Sequence, residues 1–432
     1  MPILQSEQWY LRIIKLGVYL ALFVPLLVGS RFVFPYISPK VFAFRLLIEI
    51  IFFCYLILAL QNPAYRPRLS LLGWLVLAYV VILIITSIFG ANFYRSFWSN
   101  TERGDGLISV FHFLAFFIIL AGVFKERQDW YKLMKWSVIA SFLVALYALG
   151  QRLGLSFLVH SGESRLSATI GNASFLAAYL VFNIFFAAVL FSQSKKKENK
   201  LLYALVALLE IYVLYNTQTR GAVLAFFFGF IIFVIASLLL SEHKKVKRFF
   251  LGALALVFVF VLLIWFNAKA DWVKNNPTLN RIVSISSTDI TTQARLLTWQ
   301  ASWQGWQEHF WLGWGYENYN LVFNKYFPSD LILDIGSRVW YDRAHNIIFD
   351  VGVTSGALGL ISYLSILAFA IIALWSSYKK NRQDYYLYFL LIILIIVYFG
   401  QNFFVFDTPA VYTMLYLTLA LINFLGLVDK YK

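Results

Sequence analysis

Apolar residues run along most of this chain in long stretches, separated by short polar connections rather than alternating with them. A helix needs about 20 apolar residues to cross roughly 30 Å of hydrocarbon. Twelve stretches qualify: Ile13–Ser30, Val41–Leu60, Leu71–Gly90, Leu107–Phe124, Trp136–Gly150, Ser174–Phe191, Leu201–Tyr215, Ala222–Leu240, Phe249–Phe266, Asn346–Trp375, Tyr385–Phe403 and Ala410–Leu427. Asn346–Trp375 is long enough to tilt or to begin outside the bilayer. One segment breaks the pattern. Between residues 267 and 345 lie Trp272, Trp299, Trp303, Trp306, Trp311, Trp314 and Trp340, half of the chain's 14 tryptophans. Trp299, Trp303, Trp306 and Phe310 recur at helical spacing, which predicts an amphipathic helix over Gln293–Phe310 lying at the interface with its indoles in the headgroup region. The expected organisation is all-α and polytopic, with about 12 transmembrane helices. Residues 1–266 supply nine spans, 267–345 a long external loop carrying interfacial helices, and 346–432 the last three spans.

Composition sharpens this reading. With 61% hydrophobic and 13% charged residues and a mean hydropathy of +0.73, no soluble architecture hides that much apolar surface, so the bilayer is the expected solvent. The first apolar stretch lacks the form of a cleaved signal and is expected to be a retained span. Cys54 is the single cysteine and lies inside an apolar run, so neither an intramolecular disulfide nor a cysteine metal site is expected. The net charge of +15 would suggest nucleic acid in a soluble chain. Here it reads as loop charge that orients helices, with affinity for anionic lipid or substrate and no nucleic-acid partner. If the N-terminus is cytoplasmic, 21 of the 36 basic residues fall on that side and 15 on the other, seven of those in the long loop. Long loops count little, so the comparison is 21 against 8, and both termini are expected inside.

Ionisable groups within spans are costly and each needs a reason. Arg45 and Glu49 are four apart and are expected to pair on one helix face. Glu210 has no partner nearby in sequence and must meet a cation of another helix or be protonated. Asp350 reads as a hydrogen-bonding residue. Other polar residues collect on the external side: Asn100 to Gly106, then Arg165, Gly171 and Asn172, then Thr217 to Gly221, then Arg295, then Asp342 to Asn346. Two of these clusters sit at helix N-termini, where free N–H groups and the helix dipole favour an anion. Arg220, with Thr219 as cap, adds a guanidinium fork suited to phosphate, although an arginine at a helix end also serves as a simple lipid anchor. His345 at such an end is expected to stay neutral and able to accept a proton. Gly352 and Gly356 form a GxxxG for close helix packing. His112, His160, His243 and His309 show no ligand spacing and are assigned to structure. No HExxH, DxD, Walker or GxSxG motif is present.

His345-Asn346, nine residues, then Gly356-Ala357-Leu358-Gly359 fit the H-[NSQ]-x9-G-x2-[GTY] signature, and the chain here resembles the bacterial O-antigen ligase and polymerase superfamily. The Thr219-Arg220-Gly221 turn and Arg295 with Trp299 are similar to that superfamily's two arginine motifs. The resemblance runs from about Glu102 to Tyr363. It implies an inverting, metal-independent glycosyltransferase with no cofactor in the bacterial cytoplasmic membrane, working on its extracytoplasmic face. The implied donor is a glycan on undecaprenyl diphosphate. The acceptor is a lipid A–core or other envelope hydroxyl for a ligase, or the glycan's own end for a polymerase, and membrane lipids are the surrounding partners. His345 is then the expected base, and Arg220 and Arg295 the expected stabilisers of the departing diphosphate. Arg103, Arg165, Asn172, Arg343 and Asn346 are expected to hold substrates. Rival readings are a transporter, which suits twelve spans with Glu210 and Arg45 inside them, and a non-catalytic envelope protein that docks through its loop.

Overall fold

The computed structural model describes residues 2–100, 102–159, 165–286, 288–333 and 340–428. Thr101, within the Asn100 to Gly106 stretch, and His160, named above, lie outside them. No strand occurs among the described residues. In chain order the helices are α1 (Pro2–Ala21), α2 (Ser38–Gln61), α3 (Leu71–Ile88), α4 (Phe93–Trp98), α5 (Leu107–Val123), α6 (Arg127–Arg152), α7 (Ala173–Gln193), α8 (Lys197–Asn216) and α9 (Arg220–Leu240). They continue as α10 (Lys244–Phe266), α11 (Asp271–Lys274), α12 (Pro277–Val283), α13 (Ile290–Glu308), α14 (Tyr319–Lys325), α15 (Asp330–Leu333), α16 (Ile347–Lys380), α17 (Tyr385–Asn402) and α18 (Pro409–Val428).

Among the described residues, ten helices are long and apolar enough to cross a membrane. The other two expected spans fall on α5, an apolar helix of 17 residues, and on α8, which carries Lys197, Glu198, Lys200 and Glu210. The chain is therefore polytopic and all-α, and a count of twelve depends on including these two. The first span sits earlier than its apolar run suggests. Helix α1 stops at Ala21, and a 3-10 turn follows at Val24–Leu26, because Pro25 has no N–H to continue the ladder.

The core gathers on α7 and α18, which are buried along nearly their whole lengths. Helices α6, α8 and α17 pack on α7, and α3, α5 and α16 pack on α18. Ala173, Ala177, Ala178 and Ala187 give α7 the small surface that lets neighbours approach closely. At the other extreme, α10 leans along α9 and buries none of its residues.

Inside the bundle one polar expectation is corrected and one is narrowed to a single alternative. Arg45 does not pair with Glu49. Its guanidinium donates to the Gly104 carbonyl at 2.7 Å and to the Ser109 hydroxyl at 2.8 Å, while Glu49 meets His112 Nε2 at 3.0 Å. Ser109 and His112 on α5, with Gly104 just before it, draw the two side chains across the α2–α5 contact. Glu210 meets the Ser141 hydroxyl, and no Lys, Arg or His among the described residues forms an ion pair with it.

Helix α16 is not continuous. At Gly356 the backbone turns to φ 65°, ψ −169°, a conformation open essentially to glycine alone. The segment Phe310–Trp314 enters the break. Ala357 N–H donates to the Phe310 carbonyl at 2.7 Å, and Trp314 N–H to the Val353 carbonyl at 2.8 Å. A Cβ on Gly356 would lie 2.2 Å from the Trp311 carbonyl oxygen, and one on Gly352 would lie 2.7 Å from the Trp306 ring. The GxxxG thus receives helix α13, through the Trp306 indole, at Gly352 and a loop backbone at Gly356.

The tryptophan stripe is corrected in the same region. Helix α13 turns a small-residue face inward, Ala294, Thr298, Ala301, Ser302 and Gly305, against α14 and α16. Trp306 is buried on Gly352, whereas Trp303 and Phe310 are exposed. The helix is docked to protein along a face that takes in Trp299 and Trp306 of the stripe but leaves out Trp303 and Phe310.

Candidate active site

The polar residues singled out at helix ends converge on one end of the bundle, around the connection between α17 and α18. Phe406 in that connection is the common surface. The Arg103 guanidinium lies 4.8 Å from its ring centroid and that of Arg343 5.7 Å away, and the His345 ring meets it edge-on at 5.0 Å. Two residues earlier, Phe404 takes Arg295, whose Nη2 donates to the Phe404 carbonyl at 3.0 Å with its guanidinium 5.6 Å from the ring. Gly221 lies against the same ring, where a Cβ would stand 2.9 Å from Cδ2.

His345 is fixed from both sides. The Ala344 N–H donates to Asp350 Oδ1 at 2.6 Å, and the Ala344 carbonyl accepts from Trp299 Nε1 at 3.0 Å. His345 itself takes φ 53°, a left-handed conformation that histidine enters more readily than most residues. Its Nδ1 lies 3.1 Å from the Arg343 carbonyl. A carbonyl only accepts, so Nδ1 carries the hydrogen and Nε2 is left with the lone pair. Burial first, and then the charges of Arg295 and Arg103, push the imidazole down to about 4, against the opposing pull of the Arg343 carbonyl and Asp342. The ring is neutral at pH 7, as expected, but burial rather than the helix end is the main reason. The cap of α16 is the next residue, Asn346, whose side-chain oxygen accepts from Ile348 N–H at 2.9 Å.

The arginines differ in what they hold. Arg103 grips Asp342 through Nε and Nη2 at 2.9 and 3.1 Å, and this keeps the carboxyl below its usual range in spite of burial. Arg220 opens α9 and reaches both oxygens of Asp289 at 3.2 and 3.4 Å. Asp289 caps α13 by accepting from Thr292 N–H at 3.2 Å. Arg343 is ion-paired with buried Glu317, which also accepts from the Ser99 hydroxyl at 2.7 Å. Arg165 donates to the Thr217 carbonyl and to Thr219 Oγ1, each at 2.8 Å. Thr219 stands at the cap position of α9, but its hydroxyl serves Arg165 and makes no cap bond. Asn172 spends its oxygen capping α7, on Ser174 N–H at 2.8 Å.

His345, Arg103, Arg343 and Arg295 are therefore brought together around Phe404 and Phe406. Arg220 stands close enough to influence Arg295 electrostatically, and Arg165 joins through the Thr217–Thr219 turn. Sequence reasoning missed Phe404, Phe406, Asp289 and Glu317. The Asp-x-x-Thr spacing of Asp289 and Thr292 is a readable cap signal. Nothing local marks the two phenylalanines, which look like the ragged end of an apolar run. Behind Phe406 a cavity of about 60 Å³ also gathers Asp105, Asp350 and Asp407. Burial raises both Asp105 and Asp407, the latter to about 6.

Residues 203–364 match the family model described as O-Antigen ligase, a segment that holds Arg220, Arg295 and His345 but neither Arg103 nor Arg165. No curated protein matches the chain.

Proposed function

We propose, for a chain that its 203–364 segment places in the O-antigen ligase superfamily, that it moves a glycan from undecaprenyl diphosphate to an acceptor hydroxyl. Membership makes it a membrane enzyme of the glycan ligase or polymerase type in the bacterial cytoplasmic membrane, acting on a lipid-linked glycan and an acceptor. The donor, the acceptor and the steps are our reading, as are the division at 267 and 346 and the extracytoplasmic position of the loop.

One observation carries it: a neutral imidazole with a free Nε2 lone pair is held rigidly among guanidinium groups at the mouth of the bundle. In the proposed step Nε2 of His345 accepts the proton of the acceptor hydroxyl as that oxygen attacks the anomeric carbon. The bond from that carbon to the diphosphate oxygen breaks, and its electron pair leaves with the diphosphate, so the sugar inverts. Arg220 and Arg295 take the charge that builds on the leaving group, which stabilises the transition state more than the ground state. Asp289 holds Arg220 in the absence of donor, and a diphosphate with more charge displaces it. The same incoming charge opposes the arginines that depress His345, which makes the imidazole a stronger base once donor is bound. Arg103, Arg165 and Arg343, with Asn172 and Asn346, shape the walls.

The test is transfer by the purified protein from a polyprenyl-diphosphate glycan, in chelator, with lipid A–core and with free glycan as competing acceptors. His345→Ala is expected to lower turnover by about 10²–10⁴-fold while donor binding persists. Near-normal transfer by His345→Ala removes the base assignment. Extension of the glycan in place of transfer to lipid assigns the protein to the polymerases, and dependence on added Mg²⁺ overturns the metal-free scheme.

A further inference from the structure

A second cavity lies at the opposite end of the bundle from His345. It has about 800 Å³ of space, is walled by α7, α8, α9, α10 and α17, and is lined almost wholly by apolar side chains, among them Ala204, Ala207, Phe230 and Ala253. Its one charged lining residue is Lys200, whose ammonium lies 5.6 Å from the Phe191 ring centroid at the mouth. The candidate active site begins at the other end of α8, a helix of 20 residues or about 30 Å. The catalytic groups described above therefore do not reach this space.

The rim is strongly basic. Lys195, Lys196, Lys197 and Lys200 enter α8, and Lys244, Lys245, Lys247 and Arg248 enter α10 immediately before the lining residues Phe249 and Phe250. The nearby acidic residues are Glu198, Glu242 and, two positions before the lining residue Tyr386, Asp384, which is paired with Arg127. From Lys200 to Ile211 the lining of α8 spans eleven residue steps, about 16 Å at 1.5 Å each. That is the depth of one leaflet, half of the roughly 30 Å hydrocarbon core. Helix α10, which forms the outer wall, buries none of its residues, so the space opens sideways towards lipid between α10 and α8.

We propose that this cavity is a binding site for one anionic phospholipid, with an acyl chain between α8 and α10 and its phosphate against Lys200 and the α10 lysines. Depth and charge together select the occupant. A neutral lipid leaves the rim cations unmatched, and a polyprenyl chain is longer than a single leaflet-deep slot accommodates. Basic residues at a membrane surface draw anionic headgroups, and here they stand over a preformed apolar slot that fixes where the chain goes.

The experiment is native mass spectrometry of the full chain in mild detergent with equal amounts of dioleoyl phosphatidylglycerol, dioleoyl phosphatidylcholine and undecaprenyl phosphate. One phosphatidylglycerol is expected to remain bound in preference to the other two. Ala204→Trp and Ala253→Trp fill the slot from opposite walls and are each expected to abolish it. Lys244→Gln with Lys245→Gln leaves the slot open and is expected to weaken binding roughly fivefold per charge removed. Equal retention of phosphatidylcholine, or displacement by undecaprenyl phosphate, overturns the proposal. So does undiminished binding by a tryptophan variant that elutes as wild type does, which means that surface charge alone holds the lipid. If both tryptophan variants aggregate, the lysine variant decides, and unchanged affinity there overturns the assignment.

Discussion

His345 shows how little of a side chain's chemistry belongs to the residue type. In water its imidazole is half-protonated near pH 6.5. Here burial and two guanidinium groups lower that to about 4. Unfolding restores the ordinary value, so between about pH 6.5 and pH 4 the unfolded chain binds a proton that the folded one refuses. Stability from this group is present above pH 6.5 and is lost as pH falls towards 4, by about 3 kcal/mol over the full shift. Melting of wild type and His345→Asn in detergent is therefore expected to converge as pH drops from 7 to 4.5, because the variant has no such proton to take up. A constant difference between the two curves excludes a buried neutral imidazole. Arg220 poses the complementary question. Lysine keeps its charge but not the fork that now spans both oxygens of Asp289. Arg220→Lys is expected to lower turnover about 10²-fold or more, read in the same transfer assay, and a rate near wild type assigns Arg220 to holding α13 instead.

At the scale of elements, the break in α16 and the docking of α13 on it form one device. Trp306 covers Gly352 and sends its Nε1–H to the Phe310 carbonyl at 3.1 Å, and the chain from Phe310 to Trp314 then threads the opening at Gly356. Trp306→Asp, which puts a carboxylate in that buried place, is expected to cost several kcal/mol and to lower the melting temperature sharply. Trp303→Asp, at an exposed position on the same helix, is expected to cost far less. Equal losses mean that Trp303 is buried by something outside the chain, which restores the interfacial helix the indole spacing suggests. Gly356→Ala is expected to destabilise by at least about 1–3 kcal/mol through its positive φ, measurable in the same melts. The contrast with the sequence is instructive here. Helix existence was legible for the long apolar helices, because a run of apolar residues long enough to cross hydrocarbon has few other solutions, but not for the short helices α4, α11, α12, α14 and α15. Which face of α13 turns inward was not, because small residues pack best against other helices while indoles advertise hydrophobicity. The His345-to-Gly356 spacing was legible as a pattern, but only the structure shows that its glycine is a break rather than a packing notch. Phe404 and Phe406 had no signal at all, since what makes them part of the site is what other elements lay over them.

For the whole molecule, the chain sorts its charge by end. Lys125 reaches the Ala64 carbonyl at 2.5 Å, Arg127 pairs with Asp384, and Asn423 donates to the Arg68 carbonyl at 3.0 Å, so the basic α2–α3, α5–α6 and α16–α17 connections meet at one end with the end of α18. Arg103 with Asp342, Arg165 with the Thr217–Thr219 turn, and Arg295 with Phe404 meet at the other. A partly buried polar cluster at one end and lysine-rich connections at the other form the kind of asymmetry that orients polytopic chains during insertion. The lysine-rich end is therefore expected in the cytoplasm and the His345 end outside. Single cysteines at exposed Asn199 and Asn324, in a Cys54→Ala background, read this directly in spheroplasts treated with a membrane-impermeant thiol reagent. Position 324 is expected to label before lysis and position 199 only after it. The reverse order turns the molecule over and places His345 in the cytoplasm, where it would face nucleotide-linked sugars rather than a translocated lipid-linked glycan. Labelling of both positions before lysis breaks the parity on which twelve spans depend and singles out α8, the charged helix between the two ends, as the one that does not cross.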